Sequence, residues 1–229
     1  MAVPQIIAID GPAGSGKSTL GRMLADHFGY LYFDTGVMYR AVTLAALQRQ
    51  VPIEDESAVT SLAEQVQIDV RVASIEDGRS SDVWLDGIDV TWEIRRLEVE
   101  AQVSIVSAYP GVRRALTGKQ RNIGLRGRVV MVGRDIGTVV LPEADLKAFL
   151  DASVEERARR RHDELHLRGQ DVKYGETLEA MRQRDRIDST RKFAPLVPSM
   201  DAVILNTDGM SIEQAFEKLK KLMEGNLAG

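Results

Sequence analysis

The chain reads as an α/β protein: a parallel sheet flanked by helices, with a small antiparallel β element inserted. Three observations predict this. Five short β-like runs, at 6–10, 31–34, 129–132, 146–151 and 202–206, are separated by helix-length amphipathic segments, the alternation expected of a parallel sheet. The first run leads directly into Gly11-Pro12-Ala13-Gly14-Ser15-Gly16-Lys17-Ser18-Thr19, a full G-x-x-x-x-G-K-[ST] pattern followed by a helix-like stretch from Leu20. One region breaks the alternation: runs 66–73 and 82–89 are joined by the polar Glu76-Asp77-Gly78-Arg79 with no room for a helix between them. They predict an antiparallel hairpin, placed in an appended subdomain over 64–95.

Helices are predicted over 17–28, 37–50, 94–107, 112–125, 154–167, 176–192 and 211–223. In the segment after the first strand, glycines leave the backbone N–H groups open to wrap a polyphosphate. Lys17 then reaches the β and γ phosphates as a point charge, and the Ser18 hydroxyl supplies an oxygen ligand for Mg²⁺. The strand–loop–helix context distinguishes this phosphate-binding loop (P-loop) from a Gly-rich turn that binds nothing.

Composition narrows the rest. With 229 residues, 44% hydrophobic and 28% charged, the chain can build one substantial core with insertions, read as a single domain over 1–229. A formal net charge of -4 gives no global attraction to a nucleic-acid polymer or an anionic membrane, so any anion site must be local. There is no cysteine, hence no disulfide, thiolate zinc site or catalytic thiol. Without a basic leader or an apolar run near the roughly 20 residues of a membrane span, a cytoplasmic location is the default expectation.

Other segments choose among P-loop functions. No Lys is followed two positions later by Asp, so the N/T-K-x-D guanine signature of GTP-binding switches is missing. Asp34-Thr35-Gly36-Val37-Met38-Tyr39-Arg40 follows the second strand, where ligands gather in open α/β sheets, and brings a hydroxyl, a helix start, a phenol and a guanidinium together. Thr35 as a plain helix cap and Arg40 as a solvated residue are the bland alternative. Gly133-Arg134-Asp135 follows another strand at its carboxyl end. Arg184, Asp188 and Arg191, at i, i+4 and i+7, project within about 60° of one another on one helix face. A solvated, ion-paired helix is the competing reading, although Pro195 and Pro198 soon end this helix.

Ser153 and Glu156 predict a capping box at the start of a helix carrying Arg157, Arg159, Arg160 and Arg161. These arginines either close over a transferring phosphoryl group or form a solvated basic face, and Arg168-Gly169-Gln170 supplies a hinge. His162 and His166 share a helix face but lack a third metal ligand, so they read as surface histidines, and Trp84 and Trp92 read as core of the inserted subdomain.

Together GPAGSGKST, DTGVMYR, SIVSAYPGVR (Ser104 to Arg113), GRDIGTVVLPEAD and RDRIDSTRKFAPLVP resemble the bacterial cytidylate kinases, a branch of the nucleoside monophosphate kinases, over nearly the whole chain. The resemblance implies a P-loop kinase-type parallel sheet flanked by helices, a monophosphate-binding region over 34–113 containing the 64–95 insertion, and a helical lid over about 153–170. It implies transfer of the γ-phosphoryl group of ATP to CMP or dCMP, with Mg²⁺. By motif position, Thr35, Tyr39 and Arg40 hold the acceptor phosphate and base region, with Arg134 and Arg191 as further contacts. Ser104, Arg113 and Asp135 are implied to recognise cytosine, Arg184 and Asp188 to engage the acceptor nucleotide, and Arg157 and Arg161 to act as lid arginines.

Cytosine donates from N4 and accepts at O2 and N3, a pattern that a carboxylate with Ser and Arg meets. One position departs from the family: where an Asp or Glu usually precedes Gly-Arg-Asp, this chain has Val132. In related P-loop kinases that acid helps hold Mg²⁺ through water. The expectation is therefore a persistent Mg²⁺ dependence with a weaker hold, Asp10, Asp135 or the phosphates with Ser18 making up the difference. A monomer is expected. The alternatives are a kinase for another pyrimidine monophosphate or a small acid, and a regulatory ATP-binding protein.

Overall fold

The computed structural model describes residues 3–167 and 169–225 and divides into two compact units, one formed by the chain up to 32 and from 124 onward, the other by 33–123. Arg168 of the expected hinge lies outside the described residues. In chain order the elements are β1 (Ile6–Asp10), α1 (Lys17–Phe28), β2 (Leu31–Asp34), α2 (Gly36–Gln48), α3 (Glu56–Gln65), β3 (Ile68–Val72), β4 (Ser81–Leu85) and β5 (Ile88–Asp89). They continue with α4 (Leu97–Ala108), α5 (Pro110–Gly124), β6 (Val129–Val132), β7 (Leu146–Asp151), α6 (Val154–Leu167), α7 (Tyr174–Thr190), β8 (Val203–Asn206) and α8 (Ile212–Met223).

The main sheet has the order β2-β6-β1-β7-β8. Central β1 runs parallel to β6, with Ile9 opposite Val132, and to β7, with Asp10 opposite Phe149. Both faces of β1 and β6 are covered, which is why their sequences are continuous apolar runs rather than alternating ones. Ile7, Ile9, Val130, Val132 and Leu150 meet Leu20 and Leu24 of α1 and Leu219 and Met223 of α8 in one core. Each such side chain buried contributes about 1.5–3 kcal/mol. Gly21 lets α1 settle on β6, because a Cβ there would lie 2.7 Å from Cγ1 of Val132. A reciprocal capping box between Ser211 and Gln214 starts α8.

The strands of this sheet and the helices α1, α6, α7 and α8 lie where the sequence predicts them, within a few residues. The start of α6 differs in detail. The Glu156 N–H donates to Ser153 Oγ at 3.3 Å, but the Ser153 N–H donates to Asp208 at 2.9 Å, and the Glu156 carboxylate turns to Arg159 and Arg160. The expected box is thus half formed, since two arginines outbid a backbone N–H for the carboxylate.

In the unit 33–123, the expected hairpin is a three-stranded antiparallel sheet, β3-β4-β5. The run 82–89 is not one strand: Asp86 and Gly87 both have positive φ, 49° and 82°, and fold Ile88 back opposite Leu85. Helix α3 is an element that the helix pattern read from sequence does not include. Its signals are Asp55, whose side chain accepts from the Ala58 N–H at 3.0 Å, and the buried face Val59, Leu62 and Ala63. Trp92 is not core: it is 44% exposed, and its indole N–H donates to Asp77 at 3.0 Å. Trp84 is half-buried, with the Arg71 guanidinium 5.0 Å above its ring. At the centre of the inserted sheet, buried Arg79 bonds Asp77, Asp82 and Asp89, each at 2.9 Å.

Candidate active site

The loop between β1 and α1 shows why its sequence is so restricted. At Gly11 φ is +144°, and a Cβ would lie 2.0 Å from the Leu150 carbonyl oxygen of β7. At Gly14 φ is +75°, and a Cβ would press on Met181 Cε at 2.9 Å and Arg157 Cβ at 3.1 Å. Any other residue strains the turn and pushes the loop away from α6 and α7. Gly16, also left-handed, caps α1 without a side-chain bond, leaving the first-turn N–H groups facing outward as an anion seat. Lys17 is buried, its ammonium donating to the Pro12 carbonyl at 2.5 Å and to Ser15 Oγ at 3.3 Å, so the cation is held inside the loop. Ser15 is buried, whereas Ser18 and Thr19 are exposed at the helix start.

Asp10, at the carboxyl end of β1, is a buried carboxylate. It accepts from the N–H groups of Ile136 and Gly137, each at 2.8 Å. These bonds tie the loop strand to the Ile136–Val140 turn, a single wide helical turn directly after Gly133-Arg134-Asp135. Burial pushes the Asp10 carboxyl up to about 6, with Asp135 adding to the rise; the two N–H bonds and Lys17 counteract it. Both Asp10 oxygens are thus engaged by backbone.

The predicted residues of α7 and the turn after β6 meet. Arg134 Nε donates to Asp188 Oδ2 at 2.9 Å, Arg191 lies 3.5 Å from Asp188 Oδ1, and Arg191 also lies 3.7 Å from Asp135 Oδ1. Asp135, Asp188 and Arg191 are all buried. Burial acts to raise the Asp188 carboxyl, but Arg134, Arg184 and Arg191 outweigh it and hold the group below the ordinary carboxylate value. Helix α7 ends at Thr190, and Arg191 caps it while its Nε donates to the Ala194 carbonyl at 2.6 Å. Arg184 is half-buried on the same helix.

Arg157 and Arg161 occupy different settings on α6. Arg157 is buried and donates to the carbonyls of Ala152 and Ala13 at 2.8 and 3.1 Å and to both oxygens of Asp185. Arg161 is half-buried and pairs with Glu164 at 2.8 Å. The sequence pattern does not single out Asp185, and it offers Asp10 only as a substitute hold on Mg²⁺, not as the backbone anchor it is. The carboxylate of Asp185 stands beside Arg184 in a string of charges, and only the third dimension tells which arginine it meets.

In the unit 33–123, Thr35 is buried before α2 and makes no capping bond; Asp34 accepts the Gly36 N–H instead, at 2.9 Å. Tyr39 and Arg113 are buried together, the guanidinium 5.2 Å from the ring centroid. Arg113 also donates to the Ser107 carbonyl at 2.8 Å, and Ser104 is buried one turn earlier on α4. Arg40 reaches the Ile94 carbonyl at 3.4 Å and lies 3.8 Å from Glu100. Phenol, hydroxyls and guanidinium groups on one buried helical surface supply donors and a ring face suited to a planar polar base.

His162 and His166 stack edge to face at 4.5 Å, and among the described residues no group of three His, Asp or Glu is placed to hold a metal. Among those residues no helix is long and apolar enough to cross a membrane.

Comparison with known proteins agrees with this geometry. The family described as cytidylate kinase matches residues 7–225. A cytidylate kinase from Herpetosiphon aurantiacus is 50% identical, over 97% of this chain and 96% of that protein. One from Chloroflexus aggregans is 52% identical, over 92% and 90%. A solved structure of an uncharacterized protein from Eubacterium ventriosum has a TM-score of 0.50 at 13% identity, over 96% of this chain and 99% of that one, and shows the shared fold alone. With a P-loop, a buried Arg-Asp-Arg cluster and a family match over nearly its whole length, the chain belongs to the cytidylate kinase family.

Proposed function

We propose that the protein transfers the γ-phosphoryl group of ATP to CMP and dCMP, giving ADP and CDP or dCDP. The observation that carries this reading is the pairing, in one unit, of a glycine-shaped phosphate loop holding Lys17 with the buried Arg134–Asp188–Arg191 cluster at a neighbouring strand end. The first suits a triphosphate and the second an acceptor that carries both a phosphate and hydroxyls.

The chemistry asked of the protein is positioning and charge compensation. An oxygen of the acceptor phosphate is an anion near neutral pH, so it attacks the γ phosphorus without a general base. The new O–P bond forms as the bond to the β-phosphate oxygen breaks, and ADP leaves with that electron pair. Lys17 and the outward N–H groups of α1 stabilise negative charge on the donor. Arg134 and Arg191 align the acceptor phosphate, and Arg40, in the unit 33–123, is proposed as a phosphate contact of its own. Arg157 contributes charge from its fixed place against the loop, and Arg161 from the lid. Lid closure excludes water and so suppresses hydrolysis of ATP.

Ser18 offers one exposed hydroxyl oxygen at the mouth of the loop, the hard donor Mg²⁺ takes alongside waters and phosphate oxygens. The ion, when bound, offsets the charge of the β and γ phosphoryl oxygens. In the unit 33–123, Thr35, Tyr39, Ser104 and Arg113 are proposed to contribute to cytosine recognition; in the other unit, Asp135 is proposed as a base contact and Asp188 and Arg184 as contacts of the sugar. Uracil in such a site leaves a donor and an acceptor mispaired, a penalty of roughly a hundredfold. We further propose a cytoplasmic monomer.

A panel of acceptors in a coupled ADP-release assay tests the reading. CMP and dCMP should turn over well ahead of UMP, AMP and shikimate. ATP hydrolysis indifferent to every acceptor would point instead to a regulatory ATP-binding protein.

A further inference from the structure

Asp185 stands one residue after Arg184 on α7, and its carboxylate meets a partner that is not part of the Arg134–Asp188–Arg191 cluster. Both its oxygens accept from Arg157, at 3.1 Å from Nη1 and 2.6 Å from Nη2, in a two-pronged ion pair. Two further donors of that guanidinium go to backbone: Nε to Ala152, and Nη1 also to the carbonyl of Ala13 inside the phosphate loop. Arg157 is 4% exposed, so its planar group is fixed in orientation by these bonds. The loop also rests on the same two helices through Gly14, whose missing Cβ would touch Met181 of α7 and Arg157 of α6.

We propose that Asp185 is a positioning residue for the donor site: through Arg157 it sets the Ala13–Gly14 peptide, and with it the N–H groups that receive the ATP phosphates. Asp185 and Asp188 are three residues apart on one rigid helix. Asp188 engages Arg134 and Arg191, while Asp185 engages the loop-bearing Arg157. Helix α7 therefore has a carboxylate for each side of the reaction, and the two should separate kinetically. This inference rests on the kinase reading above for its acceptor, but the loop contact itself concerns nucleotide binding alone.

The test compares Asp185→Ala, Asp185→Asn and Asp185→Glu with the parent protein. Binding of ATP is titrated calorimetrically without acceptor, and KM for ATP and for CMP is measured separately. Asp185→Ala should raise both Kd and KM for ATP by about tenfold while KM for CMP moves less than about threefold, because the displaced element is the donor loop. Asp185→Asn keeps the shape and one acceptor oxygen and should show a smaller loss of the same kind; Asp185→Glu, which keeps the charge, should recover most of the affinity. The proposal is overturned if ATP affinity in the Ala and Asn variants stays within twofold of the parent, or if KM for CMP rises in step with KM for ATP. Should the Ala variant fail to fold, the Asn and Glu pair decides alone. A parent protein that binds ATP but phosphorylates no CMP refutes the kinase reading and leaves the ATP titration still decisive for Asp185.

Discussion

Arg134 and Asp188 lie 54 positions apart in sequence and meet at 2.9 Å, joining the turn after β6 to helix α7. Arg191 approaches the other oxygen of the same carboxylate at 3.5 Å. One buried anion thus orders two cations that are proposed to face the acceptor phosphate. Asp188→Ala removes the anion and leaves both guanidinium groups short of a partner in a poorly solvated place, so it should lower stability by about 3 kcal/mol. It should also raise KM for CMP far more than KM for ATP. Because the folded carboxyl is held below its ordinary value, its contribution is present above that value and is lost as pH falls through the lower folded one. Urea melts of the two proteins at pH 7 and pH 3 measure both effects; a uniform difference at the two pH values would falsify the electrostatic account.

Asp10 titrates in the opposite sense. Its carboxyl is raised from 3.8 to about 6 in the folded protein, so between those values the folded state binds a proton that the unfolded state does not. Stability should rise as pH falls from about 6 to 4 and decline on the way back up, by on the order of 3 kcal/mol for this group alone. Asp10→Asn should flatten that slope, and at pH 7 it should also loosen the turn at Ile136–Val140, since an amide oxygen replaces two acceptors. Denaturation of both proteins across pH 4–8 is the measurement. Parallel curves would show that Asp10 does not carry the proton.

Much of this arrangement is legible from sequence because strands buried on both faces announce themselves as apolar runs and because phosphate loops need particular glycines. The runs at Ile7, Val130 and Leu150 locate the sheet, and Gly11 and Gly14 sit where β7, α6 and α7 press on the loop. Charge partners are less legible. Arg157 reads as one of four arginines on a basic helix, and only the folded chain shows that it turns inward to Ala13 and Asp185 while Arg159 pairs on the surface with Glu156. Trp92 misleads for a similar reason: indole N–H groups seek acceptors, and Asp77 on the surface provides one. Short β-turns are readable in principle, yet Asp86-Gly87 hides inside a strand-like run that looks like a single strand.

Arg79 is the hub of the inserted sheet, neutralising three carboxylates from different turns and strands. Arg79→Ala leaves Asp77, Asp82 and Asp89 facing one another without the cation that joins them. Amide protection over 68–89 should fall by tenfold or more, with β1 and β6 unchanged, as a local opening demands. Arg79 holds the Asp77 carboxyl low, and hydrogen bonds from Ser74 and then Arg79 hold Asp82 low, as those from Thr91 and then Arg79 hold Asp89, so acid should weaken the parent insert only below the usual carboxylate range. Hydrogen exchange at pH 7 and pH 4 reads this directly, and uniform loss of protection through both units would contradict a local role.

Lys17 is the cation the loop is built around, and its ammonium is held by the Pro12 carbonyl and Ser15 Oγ. Lys17→Ala removes charge at the developing transition state without opening a large apolar cavity. Turnover should drop by about a thousandfold or more, with the far-ultraviolet spectrum unchanged and the melting temperature close to the parent's. An enzyme retaining a tenth of its kcat would refute the assigned role.

Val132, at the end of β6, stands where the family resemblance expects an acid, and the structure gives it a packing duty. It is 1% exposed and its Cγ1 lies 2.7 Å from where a Cβ of Gly21 would stand. Gly21 is three residues after Ser18 on α1, hence on the same helix face, so a carboxylate at 132 would point along the helix toward the proposed Mg²⁺ ligand. Val132→Asp should lower stability in metal-free buffer by on the order of 3 kcal/mol, the penalty of burying an unpaired charge. Adding MgATP should recover part of that loss, and the Mg²⁺ concentration for half-maximal rate should fall by roughly two- to threefold, as expected when a charged group near the ion helps to hold it. Thermal melts with and without MgATP, together with a Mg²⁺ titration of the rate, separate the two contributions. A stability loss that MgATP leaves untouched, with an unchanged Mg²⁺ requirement, would assign position 132 to core packing alone.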